Sequence, residues 1–244
     1  MRSLPASKVQ SFRRLLLDWY CVGRRRLPWR RPGCSAYELL IAELLLRKTG
    51  VATVNQEYEF FITRFPTPVA LGSAPLADIA QAIRRLGIAD RARLLKALGQ
   101  QLVKDHGGRV PRTQAELMAL PGVGRYSANA VLCFAYRQPR AIVDTNVIRV
   151  LNRVFSLHSS RQRAHTDNDL WAGAQEVMEP RRSIAYNRAI LDFAATLCTH
   201  SSPRCAVCPI STICDYFAAC TDTTRRDTRA AAATSLSVTH AATP

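Results

Sequence analysis

The sequence predicts an all-α protein. Apolar residues recur at three- and four-residue spacings through nearly the whole chain, and the breaks between those segments fall on proline and glycine. Strand-like alternation is scarce, and no internal repeat of fixed period is visible.

The elements can be taken in order. Residues 6–21 put Val9, Phe12, Leu15, Leu16, Trp19 and Tyr20 on one face of an amphipathic helix. An Arg-rich connection from Arg24 to Pro32 leads to residues 36–48, a run almost wholly apolar but for Glu38 and Glu43 until its basic end. That run predicts a buried central helix. Helical periods return at 51–64, 75–86, 90–105, 113–119, 125–136, 145–156, 167–178 and 183–198, separated at Pro66, Pro75, Gly107–Gly108, Pro111, Pro121 and Pro180. Past Cys220 the composition turns to Thr, Ala, Ser and Arg without aromatic residues. Such a segment buries too little apolar surface to offset its ordering entropy, so 221–244 is expected to be a disordered tail.

At 244 residues the chain is long enough for one large domain or two packed lobes. Its net charge of +16 points first to a phosphate-rich partner and second to an anionic membrane surface, and the tail contributes almost none of it. No run approaches the roughly 20 apolar residues of a membrane span. The N-terminus MRSLPASKVQSFRRLLLDWY lacks a secretion signal, so a cytoplasmic, nucleoid-associated protein is expected, with no membrane partner. Eight cysteines in a reducing compartment point to a metal site rather than to disulfides.

The segment TQAELMALPGVGRYSANAVLCFAYR, residues 113–137, reads as a helical hairpin. Thr113 with Glu116 forms a capping box, Pro121 and Gly122 end the first helix, and the second starts near Gly124. The glycines let a ligand approach the backbone, and the N–H groups of Gly124, Arg125 and Tyr126 then lie at the positive end of a helix dipole, which suits a phosphate. Carbonyls on the other side of the turn can hold a monovalent cation. A plain turn between two packed helices is the simpler account of the hairpin alone.

In AIVDTNVIRVLNRVF, Asp144 stands where an N-cap belongs, and the helix it opens buries Val147, Val150, Leu151 and Val154. Capping and chemistry are compatible here. A carboxylate kept ionised by a helix start can stabilise an oxocarbenium-like transition state or attack an anomeric carbon. Near the C-terminus, Cys198-x6-Cys205-x2-Cys208-x5-Cys214 supplies four thiolates, suited to zinc or to a [4Fe–4S] cluster. Cys21, Cys34, Cys133 and Cys220 fall outside that pattern.

LPGVGRYSANAVL followed by VDTNVIRVLNRV resembles the helix-hairpin-helix DNA glycosylases of the endonuclease III/MutY superfamily, over roughly residues 10–218. The resemblance implies two lobes: six helices with the hairpin at 29–138, and an iron–sulfur lobe made of 1–28 and 139–220. It makes Cys198, Cys205, Cys208 and Cys214 the ligands of a structural [4Fe–4S] cluster, and Asp144 the catalytic carboxylate. Glu43 lies in a stretch similar to the helix supplying the catalytic Glu of MutY-type adenine glycosylases and the pocket Glu of Mig-type thymine-DNA mismatch glycosylases. A buried Glu has a raised pKa, suited to general-acid help for the leaving base.

Tyr126 occupies the place where bifunctional relatives carry a catalytic Lys, so the resemblance implies a base-releasing enzyme with little or no AP-lyase activity. Arg47 and Lys48 replace the paired glutamines of MutY-type sequences and look like the Mig pattern, and no 8-oxoguanine-reading domain is expected after the cysteine loop. Ile88 sits at the family's duplex wedge, with Arg47 and Lys48 supporting the orphaned guanine. Gly122, Val123, Gly124, Arg125 and Asn146 complete the DNA contacts. The expectation is a monomeric, monofunctional glycosylase acting on double-stranded DNA with a mismatched or deaminated base, removing thymine or uracil opposite guanine. The alternatives are an adenine glycosylase without its recognition domain and a non-catalytic iron–sulfur DNA-binding protein.

Overall fold

The computed structural model describes residues 4–87 and 90–221, and every regular element among them is helical. The helices are α1 (Ala6–Val22), α2 (Ala36–Leu45), α3 (Val51–Arg64), α4 (Pro68–Ser73), α5 (Leu76–Ala82), α6 (Arg91–His106), α7 (Gln114–Met118), α8 (Arg125–Phe134), α9 (Thr145–Phe155), α10 (Asn168–Val177) and α11 (Ser183–Thr196). Short 3₁₀ turns join several of them, and residues 215–221 are also helical. None of the helices is long and apolar enough to cross a membrane.

Two elements differ from the sequence expectation. The apolar pattern does not announce α4, because PVALGS is too short to show a period. Its start is local chemistry: Pro68 stands in the first turn, and the Thr67 hydroxyl accepts the Ala70 N–H at 3.1 Å. The central helix α2 stops at Leu45 instead of running to residue 48, and Lys48 takes a left-handed φ of 56°. The start of α2 is a complete capping box, in which Ser35 Oγ accepts the Glu38 N–H and Glu38 accepts the Ser35 N–H at 2.7 Å. At α7 the expected box is half made: Thr113 caps the Glu116 N–H, while the Glu116 carboxylate turns to the Thr113 hydroxyl.

The chain divides into two compact units. One comprises Arg24–Ile142 and Met178–Asn187. Its core is built on α2, where Leu40, Ile41, Leu44 and Leu45 are buried together with Tyr58 and Phe61 of α3 and Leu95, Leu98 and Leu102 of α6. Burying each such side chain contributes about 1.5–3 kcal/mol. Helices α4 and α6 approach through Gly72 and Gly99: a Cβ on Gly99 would stand 2.6 Å from the Gly72 nitrogen. The segment after α8 is tied down by buried Asn187, which donates to Arg140 O at 2.9 Å and accepts the Ile142 N–H at 3.2 Å.

The other unit comprises the described residues up to Gly23, Val143–Val177, and those from Arg188 onward. Edge-to-face aromatic pairs define its packing, Phe12 with Phe155 at 5.2 Å and Trp19 with Phe193 at 5.5 Å between centroids. Arg13 donates to Glu176 O at 2.8 Å and Val177 O at 3.1 Å, placing a cation at the carbonyl end of α10.

Candidate functional site

The hairpin forms in the first unit as α7, a turn from Leu120 to Gly124, and α8. Val123 N–H donates to Leu120 O at 3.1 Å to close the turn, and Gly122 adopts φ 76°. A side chain on Gly122 would collide with Leu94 at 2.6 Å and reach Arg47 Nη1 at 3.0 Å, so this position requires glycine. Gly124 differs. It is exposed, caps α8 without any side-chain bond, and a Cβ built on it would meet nothing within 4 Å. The start of α8 is therefore open to an approaching anion. Arg125 and Tyr126 are half-buried in its first turn; burial lowers the Arg125 pKa, and Tyr126 packs on a small cluster of Ala130, Cys133 and Ile142.

Helix α2 packs on α8 and carries Glu43. Glu43 is 5% exposed within a run of buried leucines, isoleucine and alanine. After Leu45 the chain turns, and Arg47 and Lys48 are exposed. Arg47 does not hang free in solvent: its Nη1 donates to Gly122 O at 2.8 Å. One carbonyl of the hairpin is thus already engaged by a cation of the protein itself. The predicted wedge Ile88 lies outside the described residues.

Sequence reasoning missed Arg91. It looks like an ordinary basic residue at a helix start, yet it is buried, with Nη1 on Leu45 O at 2.9 Å and Nη2 on Arg47 O and on Thr49 Oγ1. These bonds end α2 early and fold the turn bearing Arg47 and Lys48.

In the second unit Asp144 is the N-cap of α9. Its Oδ1 accepts the Val147 N–H at 2.7 Å, and its Oδ2 accepts a hydrogen bond from Asn146 Nδ2 at 3.0 Å. Asn146 Oδ1 in turn accepts from Arg149 Nη1 at 2.9 Å. The same guanidinium donates to Cys198 O at 2.9 Å and Ala194 O at 2.8 Å. Both oxygens of a half-buried carboxylate are therefore oriented, and a cation stands behind the amide that holds one of them. Asn146, Arg149 and Arg153 follow i, i+3, i+7 spacing, a polar stripe beside buried Val147, Val150, Leu151 and Val154 that could have marked this network in the sequence.

The four predicted cysteines line one pocket, with Val154, Phe193, Leu197 and Ile210 in its walls. Arg153 donates to Cys198 Sγ at 3.4 Å and to Thr199 O at 2.6 Å, and its guanidinium stacks on Tyr216. Burial pushes the thiols of Cys205, Cys208 and Cys214 up, and the Arg153 guanidinium offsets part of that rise at Cys205. Among the described residues no group of three or more His, Cys, Asp or Glu side chains is arranged to hold a metal ion. The donor set itself is four sulfurs on one pocket, which fits thiolate chemistry. Of the remaining thiols, Cys133 accepts from Asn187 Nδ2 at 3.2 Å, Cys34 lies 3.9 Å from the Tyr58 hydroxyl, and Cys21 and Cys220 are exposed.

A helical hairpin with an open helix start, and a capping aspartate twenty residues beyond it, define a DNA repair fold: the chain belongs to the HhH-GPD superfamily of base excision DNA repair proteins, whose pattern matches residues 41–176. Within that family it is 39% identical over 211 residues to the thymine/uracil-DNA glycosylase of Pyrobaculum aerophilum, covering 84% of this chain and 91% of that one. A solved structure of a thermostable thymine-DNA glycosylase superposes with a TM-score of 0.83 at 33% identity, covering 88% of this chain and 98% of the other. The adenine DNA glycosylase of Rattus norvegicus is 38% identical over 214 residues, but this chain spans only 42% of it.

Proposed function

We propose that this chain is a monofunctional thymine/uracil-DNA glycosylase acting in base excision repair, which removes the pyrimidine from a G·T or G·U pair and leaves an abasic site. The observation that carries the reading is the Asp144 carboxylate, with Oδ1 on the Val147 N–H and Oδ2 on the Asn146 amide. A fixed anion at that position stabilises the positive charge that develops on the deoxyribose as the N-glycosyl bond breaks. Near-full-length likeness to a thymine/uracil enzyme supports the pyrimidine as the substrate.

The remaining roles are those the family resemblance implies. The target nucleotide leaves the stack, at a cost of a few kcal/mol that is least at a mismatch. Glu43, a carboxyl group buried in an apolar helix, protonates the departing base, a contribution of about 10²–10⁴-fold. Tyr126 lines the base pocket and supplies no amine, so no Schiff base forms there and lyase activity is low. The open start of α8, with Gly122, Val123, Gly124 and Arg125, grips a backbone phosphate, helped by a monovalent cation on turn carbonyls other than Gly122 O. Asn146, Lys48 and Ile88 contact the DNA, and the protein works as a monomer.

Cys198, Cys205, Cys208 and Cys214 hold a [4Fe–4S] cluster that stabilises the C-terminal loop. That group supplies structure and local charge, and no catalytic step is assigned to it. Arg153, against Cys198 Sγ, offsets part of the thiolate charge.

The test is a duplex panel. Purified protein is incubated with G·T, G·U and A·8-oxoguanine duplexes, and abasic sites are then cleaved with alkali. Product from G·T and G·U is expected. Product from the adenine duplex alone would establish the adenine enzyme instead, and no product from any duplex would leave a DNA-binding protein.

A further inference from the structure

Arg91 is 5% exposed, and its hydrogen-bond partners are two backbone carbonyls and a hydroxyl rather than a carboxylate. A cation this buried is tolerated where its donors are met, here at the negative end of α2. Burial, and then the nearby Arg47, lower its pKa. Through this guanidinium the turn after α2 is pinned to the start of α6, and Thr49 Oγ1 carries the connection on to Leu86 O at 3.3 Å. From the same turn Arg47 reaches out to Gly122 O, 2.8 Å away in the hairpin. Two arginines in series thus link the α2 turn to the hairpin.

Lys48 follows Arg47 in the same turn, exposed and at φ 56°. Glycine or asparagine fills a left-handed position at less cost, so a turn built for stability alone gains nothing from lysine there. Arg47, Lys48 and Arg91 also bring three like charges to one turn, an arrangement relieved by a polyanion.

We infer that Arg91 and Arg47 are positioning residues that lock the α2 turn to the hairpin, so that Lys48 meets the mismatched pair at a fixed offset from the phosphate held at the start of α8. The inference rests on the DNA glycosylase reading above. It reassigns Arg47: its guanidinium holds the hairpin, and Lys48 alone of the pair reads the guanine, whose O6 and N7 accept such a donor.

Binding of the full-length protein to a G·T duplex and to its matched G·C counterpart tests this, in an Asp144→Asn background that prevents turnover. Lys48→Ala is expected to lower the G·T-over-G·C preference about tenfold, the scale of one good base contact. After Arg47→Met the same lysine change is expected to cost less than about twofold, because the presentation of Lys48 is already lost. Arg91→Met should act as Arg47→Met does, and Arg91→Lys, which keeps the charge and a carbonyl bond, should restore most of the coupling. Equal, additive losses from Lys48→Ala in all backgrounds would overturn the inference. The Arg47 arm decides the matter even if Arg91→Met does not fold, since Arg47 is on the surface. Absence of any G·T preference with Arg47, Lys48 and Arg91 all intact would overturn the glycosylase reading itself, and this inference with it.

Discussion

Asn146 Nδ2 donates to Asp144 Oδ2 at 3.0 Å, and Arg149 holds the other end of that amide. The aspartate is both a helix cap and an oriented anion, and the two roles can be separated. Asparagine caps a helix about as well as aspartate. Asp144→Asn should therefore leave the thermal midpoint nearly unchanged while single-turnover excision falls on the order of 10²–10³-fold, the scale of removing one electrostatic stabiliser. A matching loss of stability and activity would make Asp144 a structural residue only.

Replacing Asn146 by leucine keeps the Val147 bond to Asp144 Oδ1, frees Oδ2 and removes the acceptor of Arg149 Nη1. The expected result is a drop in kcat of about tenfold or more with little change in KM, since a carboxylate that is present but misaimed weakens the transition state rather than the ground state. A rise in KM with kcat unchanged would limit Asn146 to its DNA contact and give it no part in aiming Asp144.

Tyr126 stands in the first turn of α8, half-buried against Ala130, Cys133 and Ile142. Tyr126→Lys would introduce an amine at that place. Trapping with borohydride should then give a covalent protein–DNA adduct absent from the unsubstituted protein, together with strand cleavage at the abasic site. If no adduct forms in a folded variant, Tyr126 does not face the sugar.

Glu38 offers a pH test that is independent of catalysis. Burial alone would raise its pKa, but the Ser35 N–H and the Arg31 guanidinium outweigh burial and hold it below the ordinary 4.5. The depressed value means these bonds contribute fully above pH 4.5 and are lost as pH falls through the folded value. Arg31 is half exposed, so the contribution is modest, about 0.5–1 kcal/mol. Glu38→Gln should lower the melting temperature at neutral pH and converge with the unsubstituted protein in acid. A constant gap at every pH would assign the effect to packing.

How much of this was legible beforehand depended on the range of the interactions. Helices such as α1, α3 and α9 announce themselves because each needs only its own apolar period and a cap. Asp144 as N-cap of α9 was readable for the same reason: cap and capped N–H are three residues apart. The Arg91 bonds were not readable, since they join positions more than forty residues apart and a buried arginine spells like a surface one. Nothing local to Arg47 reveals its bond to a carbonyl 75 residues away. The Cys198–Cys214 spacing gave the donor set, but the Arg149 contact beneath it required the folded chain.

The glycine pair at the α4–α6 crossing was equally hidden, and it makes the sharpest stability prediction. Gly99 lies in the interior of α6, where alanine ordinarily gains about 0.5–1 kcal/mol over glycine. Here the sign reverses. A Cβ would sit 2.6 Å from Gly72 N, 2.9 Å from Gly72 Cα and 2.9 Å from Pro68 O, all of them backbone atoms that no rotamer change can move. The two helices must separate, and overpacking of this kind costs about 1–3 kcal/mol. Gly99→Ala should lower the denaturant midpoint, and Gly72→Ala should do the same because its own Cβ meets Gln100 N at 2.8 Å. Gly124→Ala is the contrasting case: nothing lies within 4 Å of its Cβ, so stability should hold while affinity for duplex DNA falls as the new methyl crowds the approach to α8. Stabilisation by Gly99→Ala would mean that helix propensity outweighs the crossing and that α4 can yield at no cost.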